Sequence, residues 1–334
     1  MSRARLMLAV AMFGWLLEGF PSGSVRAQQA MPPSMAIEEA NPINTAPVII
    51  SPRVLDMGQA VGPGFGAAGY DVFPPPYCPG VDAWSWQFLP EGLIYRSYLA
   101  GGREPRLSVQ FVHARQQGWL VDPTIGTRVG LLRYGTQSPV WPEGWQFDAE
   151  AAVFPRVLWD HHMDVASIDF RFGFPLTWRR GPLESKFGYA HLSSHLGDEF
   201  MLANPAANRL NYIREALVWG IAAYPIPSAR LYAEADYAVY VDGGAKPWHF
   251  QFGVDLSPAE PNQGFPRPFL AINSQLRQEV DFSGNLTVQA GAQWRSPTGR
   301  LLRLGLHYFN GSTDQAQSIR RFEEQIGAGF WYDF

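Results

Sequence analysis

The sequence predicts an all-β protein, a transmembrane antiparallel β-barrel of about 12 strands that follows a signal peptide and a disordered leader. From residue 106 onward, apolar and polar residues alternate, and a period of two is typical of strands with one apolar and one wet face. The alternating segments are about ten residues long, which is the length of a tilted membrane strand. The last of these segments ends on the aromatic residue Phe334.

The segment 324–334 shows the alternation clearly. One face carries Ile326, Phe330 and Phe334, while the other carries polar residues such as Asp333. An exposed apolar edge strand invites aggregation, and a closed barrel removes that edge by pairing its last strand with its first. The segment resembles the assembly signal of bacterial outer-membrane barrels, so we expect the barrel-assembly machinery to be a partner through Phe334. A secreted soluble β-sandwich is the alternative fold, because its strands alternate in the same way.

The start of the chain predicts export. Arg3 and Arg5 precede the apolar run 6–17, and small residues follow up to Ala27. This pattern predicts a signal peptide over residues 1–27, and the apolar run is too short to span a membrane as a helix. The protein is therefore expected in the outer membrane of the cell.

Two further regions precede the predicted barrel, which covers residues 106–334. Residues 28–83 are rich in proline and poor in pattern, which predicts a disordered periplasmic leader. Residues 84–105 are expected to form a short structured segment that lines the lumen entrance or packs under it. Within this segment, Leu93-Ile94-Tyr95 predicts a short strand.

Composition excludes some classes of partner and cofactor. The chain has 26 Lys and Arg against 30 Asp and Glu, a net charge of −4, which argues against a nucleic-acid partner. Since the predicted signal peptide carries +2, the remainder is near −6. The single Cys78 has no partner for an internal disulfide. No nucleotide fingerprint is present, and no cofactor is expected, with calcium as the one candidate.

The predicted strands and their connections fit a membrane barrel. The strands lie near 106–115, 124–135, 145–156, 164–178, 183–195, 211–224, 229–241, 247–256, 267–277, 285–295, 301–311 and 324–334. The tight turns at 179–182, 225–228 and 296–299 follow even-numbered segments, whereas the longest connections, 196–210 and 312–323, follow odd-numbered ones. Outer-membrane barrels place short turns on the periplasmic side and long loops outside. The segment 211–224 could also form a helix.

The densest group of polar residues runs from Tyr189 to Glu199. On a strand, His191, Ser193 and His195 share one face. A His beside a Ser hydroxyl is the first requirement for a base-activated nucleophile, and a third group must orient the His. Glu199, or less favourably Asn204, is expected to take that role.

This His-x-Ser arrangement is similar to that of two families of outer-membrane lipid hydrolases, the phospholipase A and the lipid A 3-O-deacylase. Both are β-barrels with such a pair on a strand near the outer leaflet. In the phospholipase an Asn-Gly follows the Ser, where this chain has Ser194-His195. The orienting Asn or Glu of those families lies further along the chain than Glu199 does.

A second hypothesis for the same region is a cation or lipid-headgroup site. His195, Asp198 and Glu199 could join residues of the loop after the third predicted strand, since both loops emerge on the same side. That loop contributes Asp160, His161, His162 and Asp164. His191 and His195 alone lie too far apart to chelate one ion, at roughly 13 Å along a strand.

A third hypothesis is that these residues form an ordinary hydrogen-bonded network at the barrel wall and rim. Other charges are expected to be paired interior groups, or else selectivity groups of a pore. They are Glu150, Asp169, Arg171, Arg214, Glu234, Asp236 and Asp255.

Two stretches, LPEGLIYRSYLAGGREPRL (Leu89–Leu107) and YAHLSSHLGDEF (Tyr189–Phe200), resemble an uncharacterised family, the domain of unknown function numbered 1207. The resemblance covers about residue 84 to the end and implies an outer-membrane barrel without assigning an activity. We therefore expect a barrel with a structural, binding or passive-transport role that contacts outer-membrane lipids. The alternative is a lipid acyl-ester hydrolase that uses His191, Ser193 and Glu199.

Overall fold

The computed structural model describes residues 83–262 and 264–334, which form an antiparallel β-barrel. The predicted signal peptide, Cys78 and nearly all of the predicted leader lie outside the described residues. The strands are β1 (Ser85–Phe88), β2 (Leu107–Ala114), β3 (Gly118–Gly135), β4 (Gly144–Leu158), β5 (Asp164–Arg180), β6 (Leu183–Leu196), β7 (Ile213–Ile226), β8 (Ala229–Asp242), β9 (Trp248–Leu256), β10 (Arg267–Arg277), β11 (Gly284–Arg295), β12 (Leu301–Ser312) and β13 (Phe322–Asp333).

Strands β2 to β13 close into the barrel. Each strand pairs with the next one in the chain, and β13 pairs with β2 from Tyr332 opposite Leu107 to Gln325 opposite Ala114. The predicted twelve-stranded antiparallel barrel is thus confirmed. Closure leaves the long apolar strands without the free edges that an open sheet would expose.

Alternation along the strands separates an apolar outer face from a polar interior. On β5, Phe172 and Phe174 are exposed, whereas the neighbouring Asp169 is fully buried. Period two forces this separation, because successive side chains of a strand point to opposite faces. The outer face is the one that would contact lipid.

The two ends of the barrel differ in their connections. At one end, which we call the turn end, two-residue turns join β5 to β6 (181–182) and β7 to β8 (227–228). At the other, the loop end, longer connections join β6 to β7 (197–212) and β12 to β13 (313–321). The first of these contains a short helix, α1 (Asp198–Ala203). Among the described residues, no helix is both long and apolar enough to cross a membrane.

The first strand of the wall is interrupted. Both β1 and β2 pair with the edge of β3 that faces away from β4, β1 along residues 132–135 and β2 along residues 118–125. Between β1 and β2 the chain leaves the wall and runs through the barrel interior. We call residues 89–106 the lumen segment. Tyr95 and Tyr98 in this segment are fully buried.

Arginines of the barrel wall hold the backbone of the lumen segment. Irregular buried backbone leaves carbonyls without a ladder partner, and these carbonyls need donors. Guanidinium groups supply them at 2.6–3.1 Å: Arg133 to Glu91 and Gly92, Arg128 to Tyr95, Arg230 to Arg96, Arg303 to Leu99, and Arg171 to Arg103. The segment is thereby fixed from several sides of the barrel.

Side chains of the lumen segment add further contacts. The Tyr98 ring stacks on Tyr232 with 3.9 Å between centroids, and its hydroxyl donates to Glu234 at 2.8 Å. Lys186 approaches the same carboxylate at 2.5 Å. A buried polar network of this kind is stable when every member has a partner.

The predicted pairing of the interior charges is confirmed. Each of the seven residues named above has a partner of opposite charge within 4.0 Å. The pairs are Glu150 with Arg128 and Arg171, Asp169 with Arg103, Glu234 with Lys186, Asp236 with Arg214, and Asp255 with Arg230. Burial of unpaired charges would be costly, so pairing is a condition of this filled interior.

The structure corrects the secondary structure predicted for Leu93–Tyr95 and decides that of the segment 211–224. The predicted strand at Leu93–Tyr95 is wrong, and the short strand of this region is Ser85–Phe88. Leu93–Tyr95 lies buried in the lumen segment, where wall arginines rather than a neighbouring strand bind the backbone. The segment that could also have formed a helix is strand β7. Its pairing with β6 and β8 explains that outcome, since tertiary contacts override local preference.

Candidate functional site

The outward face of β6 carries the predicted polar residues. His191 lies directly opposite Phe172 of β5, and Ser193 lies opposite Phe170. Directly paired residues share a face of the sheet, and both phenylalanines are exposed. His191 and Ser193 therefore point away from the lumen, towards the surroundings of the barrel.

His191 is bound to a carboxylate on the neighbouring strand. Its Nδ1 lies 2.8 Å from Oε1 of Glu215 on β7. A carboxylate acceptor assigns the proton to Nδ1, which leaves Nε2 as the basic nitrogen. The ring also stacks on Phe172, with 4.7 Å between centroids and 22° between planes. These contacts orient the imidazole.

Glu215 is itself held in place. Its second oxygen, Oε2, accepts a hydrogen bond from the hydroxyl of Tyr189, which lies two residues before His191 on the same face of β6. Glu215 stands directly opposite His191 in the register of β6 and β7. Tyr189, His191 and Glu215 therefore form one hydrogen-bonded group on the outward face of the wall.

Ser193 lies one pleat beyond His191 towards the loop end. Cα atoms two residues apart on a strand are separated by about 6.6 Å, so the two side chains are neighbours on one face. No side chain of the described residues hydrogen-bonds the Ser193 hydroxyl in this structure. Ser194, by contrast, faces the lumen and donates to buried Asp169. Adjacent serines thus have different environments.

Glu199, the residue expected to orient His191, lies elsewhere. It is exposed in the first turn of α1, and Asn204 ends that helix with its amide bound to the Phe200 carbonyl. The structure brings Glu215 to His191 instead. A signal for it was present in the sequence, because Glu215 interrupts the apolar alternation of Ile213, Leu217 and Trp219 with a charge.

The residues of the cation hypothesis do not converge. His161 and His162 are exposed in the turn between β4 and β5, while Asp160 accepts a hydrogen bond from the backbone of Trp119. Asp198 is exposed on α1, and His195 Nδ1 contacts Arg209 at 2.8 Å. In residues 83–262 and 264–334, no group of three or more His, Cys, Asp or Glu is placed to hold a metal ion.

The chain belongs to the family described as Protein of unknown function (DUF1207), whose model matches residues 84–334. The resemblance identified in the sequence is thereby confirmed. No curated protein matches the chain.

Several solved barrels are similar to the chain. The outer membrane phospholipase of Salmonella typhi, a dimer with bound calcium, has 10% identity and a TM-score of 0.47, and covers 71% of this chain and 94% of its own. The Escherichia coli outer membrane phospholipase A has 9% identity and a TM-score of 0.46, with 71% and 93% covered. The TodX monoaromatic hydrocarbon channel has 9% identity and a TM-score of 0.34, with 73% and 96% covered. The likeness concerns the barrel and carries nothing about chemistry.

Proposed function

We propose that this protein is an outer-membrane barrel that hydrolyses acyl esters of membrane lipids with Ser193, His191 and Glu215. The observation that carries the proposal is the 2.8 Å contact between His191 Nδ1 and Glu215 on the lipid-facing side of the wall. A carboxylate, an imidazole and a serine in that order are the parts of a base-activated nucleophile. Charged and polar groups on the apolar outer face of a membrane barrel lower its stability. Because His191 and Glu215 are placed there despite that cost, a chemical role for them is favoured.

The geometry supports a two-step acyl transfer. Ser193 Oγ attacks the ester carbonyl while His191 Nε2 takes the hydroxyl proton, and Glu215 stabilises the imidazolium through Nδ1. Collapse of the tetrahedral intermediate breaks the ester bond, and His191 returns the proton to the leaving alcohol. Water then attacks the acyl-serine by the same route and releases the fatty acid, with the proton restored to Ser193.

The position of the group supports a lipid substrate. The exposed side chains around it on β5 and β6 are apolar: Phe170, Phe172, Phe174 and Phe187. Acyl chains pack on such a surface without loss of apolar burial. A soluble ester would have to reach the site through lipid, whereas a membrane lipid already lies against it.

The interior argues against passive transport. The lumen segment is bound to wall arginines and carries fully buried Tyr95 and Tyr98. A pore would need this segment to leave, at the loss of several charge-assisted hydrogen bonds. The expected role in passive transport is therefore less well supported than hydrolysis.

The test is acyl-ester release by purified, refolded protein, measured with and without calcium. Ser193→Ala is expected to lower the rate by about 10³-fold or more. Ser194→Ala is the matched control: it removes the same atom from the next residue, but on the lumen side. The control should keep the wild-type rate. Equal rates for wild type and Ser193→Ala, or no release by wild type, would overturn the proposal.

A further inference from the structure

Beyond the three residues of the proposed reaction, the outward face of β6 continues into a cationic group at the loop end. His195 lies one pleat beyond Ser193 on the same face, and its Nδ1 contacts a guanidinium nitrogen of Arg209 at 2.8 Å. Arg209 belongs to the connection 197–212 and is exposed. This pair is separate from the buried ion pairs of the lumen.

The contact defines the charge of the pair. Arginine is always protonated and has no acceptor, so the guanidinium must donate and His195 Nδ1 must accept. His195 is then neutral, with its proton on Nε2. Only one of the five guanidinium N–H groups is used in this contact, which leaves a fork of donors open to solvent.

The positive charge of Arg209 is uncompensated. Asp198 and Glu199 lie in the same connection and carry opposite charge, but within the described part of the chain no carboxylate lies within 4.0 Å of this guanidinium. Arg214, which lies just after this connection and faces the interior, is paired with Asp236. Arg209 therefore offers a free site to an anion.

The order of groups along this face matches the layers of a membrane lipid. From the loop end inward lie Arg209 with His195, then Ser193 with His191, then Tyr189 and exposed Phe187. A lipid in one leaflet presents its headgroup outermost, its ester carbonyls next and its acyl chains deepest. With successive pleats about 6.6 Å apart, an ester at Ser193 places the headgroup near Arg209.

We infer that Arg209, positioned by His195, selects acyl lipids whose headgroup carries a phosphate or another anion. This inference rests on the proposed hydrolysis and specifies its substrate class. A guanidinium fork suits phosphate oxygens because it can donate two parallel hydrogen bonds. Arg209 thus acts on substrate binding and takes no part in proton transfer.

The experiment compares Arg209→Gln with wild type on three substrates in mixed micelles: dioleoyl phosphatidylglycerol, lipid A and uncharged dioleoylglycerol. The first two separate a glycerophospholipid from a phosphorylated saccharide lipid as the source of the anion. We expect KM for the preferred anionic lipid to rise about fivefold or more, with kcat unchanged. Rates on dioleoylglycerol should not change.

Arg115→Gln is the matched control, since Arg115 is an exposed arginine on the loop-end turn between β2 and β3. It should leave KM unchanged on every substrate. Equal KM values for Arg209→Gln and wild type on both anionic lipids would overturn the inference while leaving hydrolysis intact.

A second readout separates this inference from the proposed reaction. Retention of phosphatidylglycerol and of lipid A, each relative to dioleoylglycerol, is measured by native mass spectrometry on Ser193→Ala protein, with and without Arg209→Gln. Loss of the preference for the anionic lipid in the double variant supports the headgroup site. Retention that is equal with and without Arg209 contradicts it, whether or not the wild type hydrolyses lipid.

Discussion

Strand β6 presents two kinds of polar surface on its two faces. Inward, Glu184, Lys186 and Ser194 are buried, and each contacts a partner that is itself buried in the lumen. Outward, His191 is half-buried, binds one carboxylate, and keeps Nε2 directed to no side chain among the described residues. The Ser193 hydroxyl beside it likewise has no hydrogen bond from a side chain of the described residues.

The difference distinguishes polar groups that hold a fold from polar groups available for chemistry. In the lumen, most buried charges lie against an opposite charge or donate to a carbonyl of the lumen segment, so the interior acts as a packed polar core. On the outer face, hydrogen bonds orient one imidazole but leave its second nitrogen and a neighbouring hydroxyl open. Oriented but unsatisfied groups in an apolar setting are typical of functional sites.

Loss of the Glu215 carboxylate on the outward face is expected to change the rate most. Glu215→Gln should reduce acyl-ester release by about 10²-fold to 10⁴-fold, because an amide no longer stabilises the imidazolium and can favour the wrong tautomer. Glu199→Gln makes the same chemical change on exposed α1 and should keep the wild-type rate. Comparison of kcat/KM for the two variants is the measurement. The opposite ranking would return the orienting role to Glu199.

A second variant removes a buried ion pair of the lumen and leaves the outward face of β6 unchanged. Lys186→Met should lower the free energy of unfolding by about 3 kcal/mol, because it leaves the buried Glu234 carboxylate without its cation. The measurement is urea unfolding of the refolded barrel. Its hydrolytic rate under native conditions should not change.

The control for this variant is Lys246→Met, which makes the same change on the exposed loop between β8 and β9. Its unfolding free energy should stay within about 0.5 kcal/mol of wild type. If the two variants were equally stable, the lumen pairs would not contribute as the structure indicates.

Conductance measurements compare the filled interior with the proposed reaction on the outer face, and they are expected to show the least change. Wild-type protein in a planar lipid bilayer should show no steady single-channel steps, since the lumen segment is bound across the interior. Protein from the same preparation should release fatty acid from vesicles. Stable conductance steps with no fatty-acid release would favour the passive-transport role instead.

Much of the fold follows from local pattern. Strands β5 and β6 were predicted over 164–178 and 183–195 and extend over Asp164–Arg180 and Leu183–Leu196. Such agreement is expected where a strand has one apolar face and one polar face, because each residue's environment alternates with its position. Leu93–Tyr95 was wrongly predicted because a segment buried on all sides shows the same apolar run as a short strand.

The alternation along one strand is enough to place His191, Ser193 and His195 on one face, since period two is a property of a single strand. The strand pattern did not determine which face points out of the barrel, nor that Glu215, 24 residues after His191, completes the group. Those depend on barrel closure and on the register between β6 and β7, which are long-range features. The same is true of the lumen segment: only the closed barrel brings arginines from distant strands around one stretch of backbone and makes the interior a core.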